Sequence, residues 1–251
     1  MLKINELFDE VKLIVSNVAS SADELNNPKF KDYSYSPENS KEIKSFADKF
    51  FEKKILAQLI PFGLPILTEE SGYLNNNSNS DLFFIVDPLD GTFNFVKGLG
   101  PCAISIALWK DKKPIFGVIY DLVKRQLIFG GSKFGSYCDN NKIMVSDTKN
   151  ISNASICSGF PVRFELSENN LNDFINTIKP YAKIRMLGCA SISLVNVACG
   201  KSDVYFEKSI MLWDVAAGIA IVEGAGGKYL LKDSLEKWSY EVNASNANLL
   251  I

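Results

Sequence analysis

The stretch Phe83 to Phe95, FFIVDPLDGTFNF, brings two carboxylates, Asp87 and Asp90, to the end of an apolar run. Leu82 to Val86 reads as a buried strand that stops at Asp87, because Pro88 cannot donate to a ladder and Asp90-Gly91 makes a turn. The acids therefore belong to the loop at the C-terminal end of a strand, where α/β proteins usually place ligands. Two acids beside a buried strand are costly unless a cation or a base pairs with them. No Lys or Arg lies between Asp81 and Lys97, so a divalent metal is the natural partner. Gly91 permits close backbone approach and Thr92 adds a hydroxyl. Such a set suits a metal-held phosphate with a water poised to attack it.

Other chemistries are narrowed by what the chain lacks. Histidine is absent, which excludes Ser-His-Asp triads, Cys-His dyads and histidine-ligated zinc. The five cysteines, Cys102, Cys138, Cys157, Cys189 and Cys199, contain no C-x-x-C pair and read as reduced core thiols. Cys157 to Arg163 satisfies C-x5-R, the phosphate loop of cysteine phosphatases. Pro161 removes one of the backbone donors such a loop needs, and no nearby acid or histidine is placed to activate the thiol. A D-x-D phospho-acceptor motif is also missing, since two residues separate Asp87 from Asp90.

The elements that must position these groups can be read from periodicity. Ile4, Leu7, Phe8, Val11, Ile14, Val15 and Val18 predict an opening amphipathic helix. Asn26 to Asn39 reads as a loop, and Ile43, Phe46, Ala47 and Phe50 predict the start of a second helix. Pro65 to Thr68 predicts a short strand leading into Glu69-Glu70, and Asn75 to Ser80 a loop. Ala103 to Trp109, Phe116 to Tyr120, Gln126 to Phe129 and Gly135 to Tyr137 predict a meander, with Lys142 to Val145 as an edge strand. A polar stretch near Ser146 to Asn153 divides the chain into halves, 1–147 and 148–251, expected to form one functional unit. The second half alternates strands (Ile156 to Gly159, Lys183 to Leu187, Asp203 to Glu207) with helices (Leu171 to Ile178, Ser191 to Cys199, Val215 to Glu223). Tyr229 to Leu231 and Leu249 to Ile251 are expected as final strands. The mixture fits layered sheets and helices.

At 251 residues and 47% hydrophobic, the chain can bury a sizeable core. A net charge of −2 with interspersed signs gives no nucleic-acid or membrane-surface footprint. No apolar run approaches the ~20 residues of a membrane span. The N-terminal MLKINELFDEVK lacks a signal-peptide core, so a cytoplasmic protein is expected.

The stretch from Asp87 resembles the signature of the inositol monophosphatase superfamily, D-P-[IL]-D-G-T-x-N-F. Glu69-Glu70-Ser71 resembles the family's upstream E-E-S, and Trp213 to Gly218 its downstream W-D-x-A-x-G; the similarity runs from about Asp48 to Asn246. The resemblance implies an alternating α/β/α/β/α sandwich and a Mg²⁺-dependent, lithium-sensitive phosphomonoesterase, expected to be a homodimer. Glu69, Asp87, Asp90 and Asp214 would form the cage, and hard oxygen ligands without His or Cys favour Mg²⁺ over zinc. By resemblance Asp87 bridges two ions, Glu69 and the Leu89 carbonyl join it on the first, and Asp90 and Asp214 on the second. A third ion would lie near Glu69. Gly91 and Thr92 would offer N–H groups to the phosphate, Thr92 and Glu69 would orient the water, and Asp48 would partner Thr92.

Several of these positions have a plainer reading as well. Asp214 is an ordinary first-turn acid, Glu70 a surface carboxylate, and Asp48 a group on the solvated face of the second helix. The family's V-T-x-x-D appears as Lys44-Ser45-Phe46-Ala47-Asp48, with serine replacing threonine, and its upstream lysine has no clear counterpart among Lys31, Lys41 and Lys44. Gly188-Cys189-Ala190 would contact substrate, its free amides facing an anion at a helix start, or is simply a helix start. Glu207 matches a glutamate that binds sugar hydroxyls, or is a strand-end acid. A small polyol or sugar monophosphate, inositol 1-phosphate first, is the substrate implied. The alternatives are 3′(2′),5′-bisphosphate nucleotidase, fructose-1,6-bisphosphatase or histidinol-phosphatase activity, and an RNA- or protein-binding regulator on the same fold.

Overall fold

The computed structural model describes residues 3–26, 33–35 and 43–249. Helix α1 (Ile4–Ser20) turns Leu7, Phe8, Val11, Ile14, Val15 and Val18 inward, as their spacing predicts, while Ile4 stays exposed. A short antiparallel pair, β1 (Tyr33–Tyr35) and β2 (Ile43–Ser45), leads into α2 (Phe46–Leu59). Ile43 is thus in a strand and not in the helix, because Ser45 is the N-cap and accepts from the Ala47 N–H at 3.2 Å. Tyr33–Tyr35 likewise departs from the expected loop; Lys31 and Lys41 lie outside the described residues.

Strands β3 (Ile66–Thr68), β4 (Gly72–Leu74) and β5 (Leu82–Asp90) follow, then helix α3 (Thr92–Lys97). The meander is β6 (Ala103–Lys110), β7 (Lys113–Asp121), β8 (Gln126–Gly131), β9 (Gly135–Cys138) and the short β10 (Asn141–Lys142). Together they form an eight-stranded sheet in the order β10-β9-β8-β7-β6-β5-β3-β4, in which only β3 and β5 run parallel. The remaining elements are β11 (Ser155–Ser158), α4 (Glu168–Ile178), β12 (Lys183–Arg185), α5 (Ala190–Ala198), β13 (Val204–Met211), α6 (Leu212–Gly224), β14 (Lys228–Asp233) and β15 (Ser239–Ser245). Their strands make a five-stranded sheet, β12-β11-β13-β15-β14. Leu249 is not in a strand, and Leu250 and Ile251 lie outside the described residues; among the described residues the last strand is Ser239–Ser245, whose alternation the many polar residues conceal.

Three apolar clusters show why the elements stack as they do. Helices α1 and α2 bury Val11, Val15, Phe51 and Ile55 against Phe84, Val86, Ile104 and Ile106 on one face of the large sheet. On its other face lie α5 and α6, which also cover Tyr205, Val242 and Ala244 of the small sheet. Helix α6 is buried from Val215 to Val222 on all sides, as its continuous apolarity requires of a helix between two sheets. A Cβ on Gly117 of β7 would lie 2.2 Å from the Ala217 carbonyl oxygen, so glycine sets how closely α6 can seat. Helix α4 closes the far side with Phe174 and Ile178 over Ile156, Val204 and Phe206. The layers therefore alternate α/β/α/β/α, as the resemblance implies. Two helices from the C-terminal half cover the N-terminal half's sheet.

Candidate metal and phosphate site

Strand β5 delivers the acids differently from a strand that simply stops. Its ladder with β6 runs to Asp87 opposite Ser105, skips, and resumes with Asp90 opposite Ala103. Pro88 withholds its donor at that irregularity, and the resulting bulge bends Asp87 and Asp90 toward one another. Gly91 then adopts φ 84°, where a Cβ would lie 2.8 Å from the Pro101 carbonyl oxygen. Only glycine allows this turn into α3.

Oxygens of Asp87, Asp90 and Asp214 all lie within 4.8 Å of one another. Asp214 occupies the first turn of α6, where its carboxylate accepts from the Met211 N–H at 3.3 Å, so the capping and cluster placements coincide. Asp87 is buried; its Oδ1 accepts from the Leu89 N–H at 3.0 Å, but Oδ2 is buried with no hydrogen-bond partner. An orphaned carboxylate oxygen facing two more acids, with no sulfur or imidazole in the set, fits a hard divalent cation. Glu69 sits outside the tight trio. It occupies the β3–β4 turn, beside Asp87, and shares a cleft wall with Asp90 and Asp214.

Asp48 is 2% exposed, which rules out a solvated face. Its Oδ2 accepts from the Ser45 N–H at 2.8 Å and the Ser45 hydroxyl at 2.7 Å, and its Oδ1 lies 2.9 Å from Thr92 Oγ1. Ser45, at the position of the family's threonine, supplies both of these donors. Thr92 Oγ1 also lies 3.0 Å from the Leu89 carbonyl, but one hydroxyl proton serves one acceptor at a time, and the carboxylate is the stronger.

The cleft, about 320 Å³, is walled by Glu69, Asp90, Gly188, Cys189, Ala190, Glu207 and Asp214, with Arg163 and Ser209 on the same surface. Gly188, Cys189 and Ala190, expected to contact substrate, wall this cleft. The next residue turns toward Asp90: the Ser191 N–H donates to its Oδ2 at 2.6 Å, as does the Cys189 thiol at 3.2 Å. The Ser191 donor is thus taken by the protein's own carboxylate. Glu70 is half-buried and does not wall the cleft.

Three residues escaped the sequence reading. Asn94 donates to the Leu187 carbonyl at 2.8 Å and the Pro101 carbonyl at 2.9 Å, tying α3 to the segment before α5. Arg163 ends the C-x5-R match, yet it serves the cleft and bonds Glu236 at 2.8 Å, while Cys157 is buried elsewhere and burial raises its thiol pKa. Glu52 lies one helical turn beyond Asp48, a spacing that puts both acids on one face of α2 and could have flagged it. All five cysteines are unpaired, as expected of reduced thiols.

Burial and then mutual repulsion push these acids upward. Asp214 is raised to about 7 by burial and the Asp90 charge, and Glu207 to about 8 by burial and the charges of Asp214 and Asp90. Glu69 and Asp87 shift well upward for the same reasons, Glu69 feeling Asp214 and Asp87 feeling Glu69 most among the charges. Between the ordinary carboxylate range and these raised values the folded chain binds more protons than the unfolded chain, so stability falls as pH rises. The metal-free protein is therefore expected to lose Tm as pH rises from about 5 to about 8, at roughly 2–4 °C per kcal/mol. Mg²⁺ should restore Tm more at pH 8 than at pH 5.5, where protons compete for the same oxygens. Thermal scans in EDTA and in Mg²⁺ across that range check this; a Tm that climbs with pH in EDTA contradicts it.

Residues 9–245 match the model of the inositol monophosphatase family. A Nus factor SuhB from Pasteurella multocida is 36% identical over 163 residues, 64% of this chain and 61% of that protein, so the chain spans about three fifths of this relative. A fructose-1,6-bisphosphatase/inositol-1-monophosphatase from Aquifex aeolicus is 30% identical over 228 residues, 88% of this chain and 84% of that protein. The crystal structure of the extragenic suppressor protein suhB from Bartonella henselae superposes with a TM-score of 0.85 at 28% identity, covering 97% of this chain and 95% of that one. With the family model spanning nearly its whole length, the chain belongs to the inositol monophosphatase family.

Proposed function

We propose that the chain hydrolyses a small phosphate monoester by direct attack of water, with Mg²⁺ held by Glu69, Asp87, Asp90, Asp214 and the Leu89 carbonyl. The observation that carries this reading is the unpartnered Asp87 Oδ2 beside Asp90 and Asp214. Bound there, two or three Mg²⁺ ions would supply a water of lowered pKa and neutralise charge on the phosphoryl and leaving oxygens. Thr92 gives its hydroxyl proton to Asp48, so its oxygen is left to receive one O–H of the attacking water. Glu69 receives the other. The water oxygen forms the new bond to phosphorus as its proton passes to Glu69, the ester P–O bond breaks, and the leaving alkoxide takes up a proton from solvent water. The N–H groups of Gly91 and Thr92 would face the phosphate. Neither a histidine nor an exposed thiol competes as nucleophile.

Selectivity must come from farther out, because the acids read only the phosphate. Glu207 on the cleft wall can bind vicinal hydroxyls, which supports a polyol such as inositol 1-phosphate. Wild type is expected to give a higher kcat/KM for inositol 1-phosphate than for adenosine 3′,5′-bisphosphate. Glu207→Gln should cost the inositol substrate roughly 1–3 kcal/mol of transition-state stabilisation. Steady-state kinetics on both substrates decide it, and a tenfold preference for the nucleotide reverses the assignment. A second reading, a sugar bisphosphate, is supported by the Arg163 guanidinium in the same cleft and by the Aquifex relative's name. The proposal includes Li⁺ inhibition, a cytoplasmic location and a homodimer. The Nus factor name belongs to the Pasteurella relative; metal-dependent turnover separates an enzyme from a purely regulatory binder.

A further inference from the structure

The three-residue turn that carries Glu69 is closed by the backbone ladder only at its two ends. Strand β3 is three residues long, and both of its ladders end at Thr68, opposite Val86 on one side and Gly72 on the other. Glu69, Glu70 and Ser71 therefore lie in a turn beyond the last ladder pair. The side-chain support of that turn comes from another layer. Glu52, on α2 and only 7% exposed, accepts the Thr68 hydroxyl at 2.8 Å and the Ser71 N–H at 3.0 Å on Oε1, and the Ser71 hydroxyl at 2.9 Å on Oε2. Thr68 and Ser71 flank Glu69 on both sides in the chain.

The helix that supplies Glu52 is itself anchored, with Phe51, Ile55 and Leu59 fully buried under the large sheet. Four residues earlier the same helix carries Asp48, which holds Thr92. One rigid turn of helix, about 6 Å long, thus holds two loops that approach the site from different strands. A carboxylate is suited to this task because it is acceptor-only and can take three donors at once.

We propose that Glu52 is a positioning residue for Glu69, holding the β3–β4 turn so that Glu69 is presented to the metal. The proposal rests on the metal-site reading above. It makes Glu52 responsible for metal affinity, whereas Asp48 serves the water-orienting hydroxyl.

The test is Mn²⁺ binding by the full chain, read from electron paramagnetic resonance of free Mn²⁺ and from the Mn²⁺-induced rise in Tm. Glu52→Ala should raise the half-saturating Mn²⁺ concentration by roughly 10–100-fold, the usual effect of losing a group that orients a ligand. Turnover should recover substantially at saturating metal. Glu52→Gln should lie within about threefold of wild type, since its amide oxygen can take Thr68 and the Ser71 N–H while its amide nitrogen donates to a rotated Ser71 hydroxyl. If Glu52→Ala does not fold, the double variant Thr68→Val with Ser71→Ala removes two of the three bonds and should shift the midpoint in the same direction. Wild-type Mn²⁺ affinity in Glu52→Ala, or in that double variant, overturns the positioning role even if Tm falls. Absence of any Mn²⁺ binding by wild type overturns the metal-site reading, and this proposal with it.

Discussion

Asp90→Asn will lower turnover at least 10³-fold at ordinary Mg²⁺ while leaving the metal-free protein as stable as wild type. The amide keeps the shape of the carboxyl, and its oxygen can still accept the Ser191 N–H that Asp90 Oδ2 takes at 2.6 Å. What it loses is one negative charge from a cluster already crowded by Asp87 and Asp214. Without metal that loss relieves repulsion, so Tm in EDTA should hold or rise. If Asp90 ligates the metal as proposed, the substitution also removes a ligand, and several kcal/mol of transition-state charge stabilisation would go with the ions. At about 1.4 kcal/mol per factor of ten, three decades correspond to about 4 kcal/mol. The decisive comparison is Tm with and without Mg²⁺ alongside phosphate release. Near-normal turnover by Asp90→Asn would remove Asp90 from the cage.

Thr92→Val will separate water orientation from metal binding. Valine fills the same space but cannot donate to Asp48 or receive a water proton. Asp48 keeps both bonds from Ser45, so the cost in stability should be about 1–3 kcal/mol, that of one polar partner lost. The expected loss in kcat is roughly 10²–10⁴-fold, the range associated with a positioned proton acceptor. The Mn²⁺ midpoint should stay near wild type, because the Thr92 hydroxyl bonds Asp48 and no carboxylate of the cluster, and valine leaves the nearby Leu89 carbonyl free for the metal. A variant that loses metal affinity in proportion to kcat would assign Thr92 to ligand support. This pattern is the opposite of the one expected for Glu52→Ala, which shifts metal affinity first.

The linear sequence determined what depends on local chemistry and on period. The apolar run before Asp87, the prolines and the glycine turn announced a strand that ends in acids, and the spacing in α1 and the meander announced which faces are buried. The absence of histidine narrowed the chemistry before any geometry existed. The family resemblance linked Glu69, Asp87, Asp90 and Asp214, which lie as far as 145 residues apart in the chain; the structure brings Asp87, Asp90 and Asp214 within 4.8 Å and puts Glu69 on the same cleft wall.

Other features are products of long-range pairing, and no local signal carries them. The bulge that continues β5 to Asp90 exists because β6 pairs on both sides of Pro88. That the first turn of α5 supports Asp90 is visible only once α5 is docked against β5, where Asp90 takes the Ser191 N–H. Asp48 and Glu52 lie in a helix dense in lysine, with a polar look that suggests solvent. Both acids are buried because donors from two distant loops, Thr92 on one side and Thr68 and Ser71 on the other, satisfy them there. A buried carboxylate is tolerable only where its donors meet, and where they meet is decided by the stacking of layers.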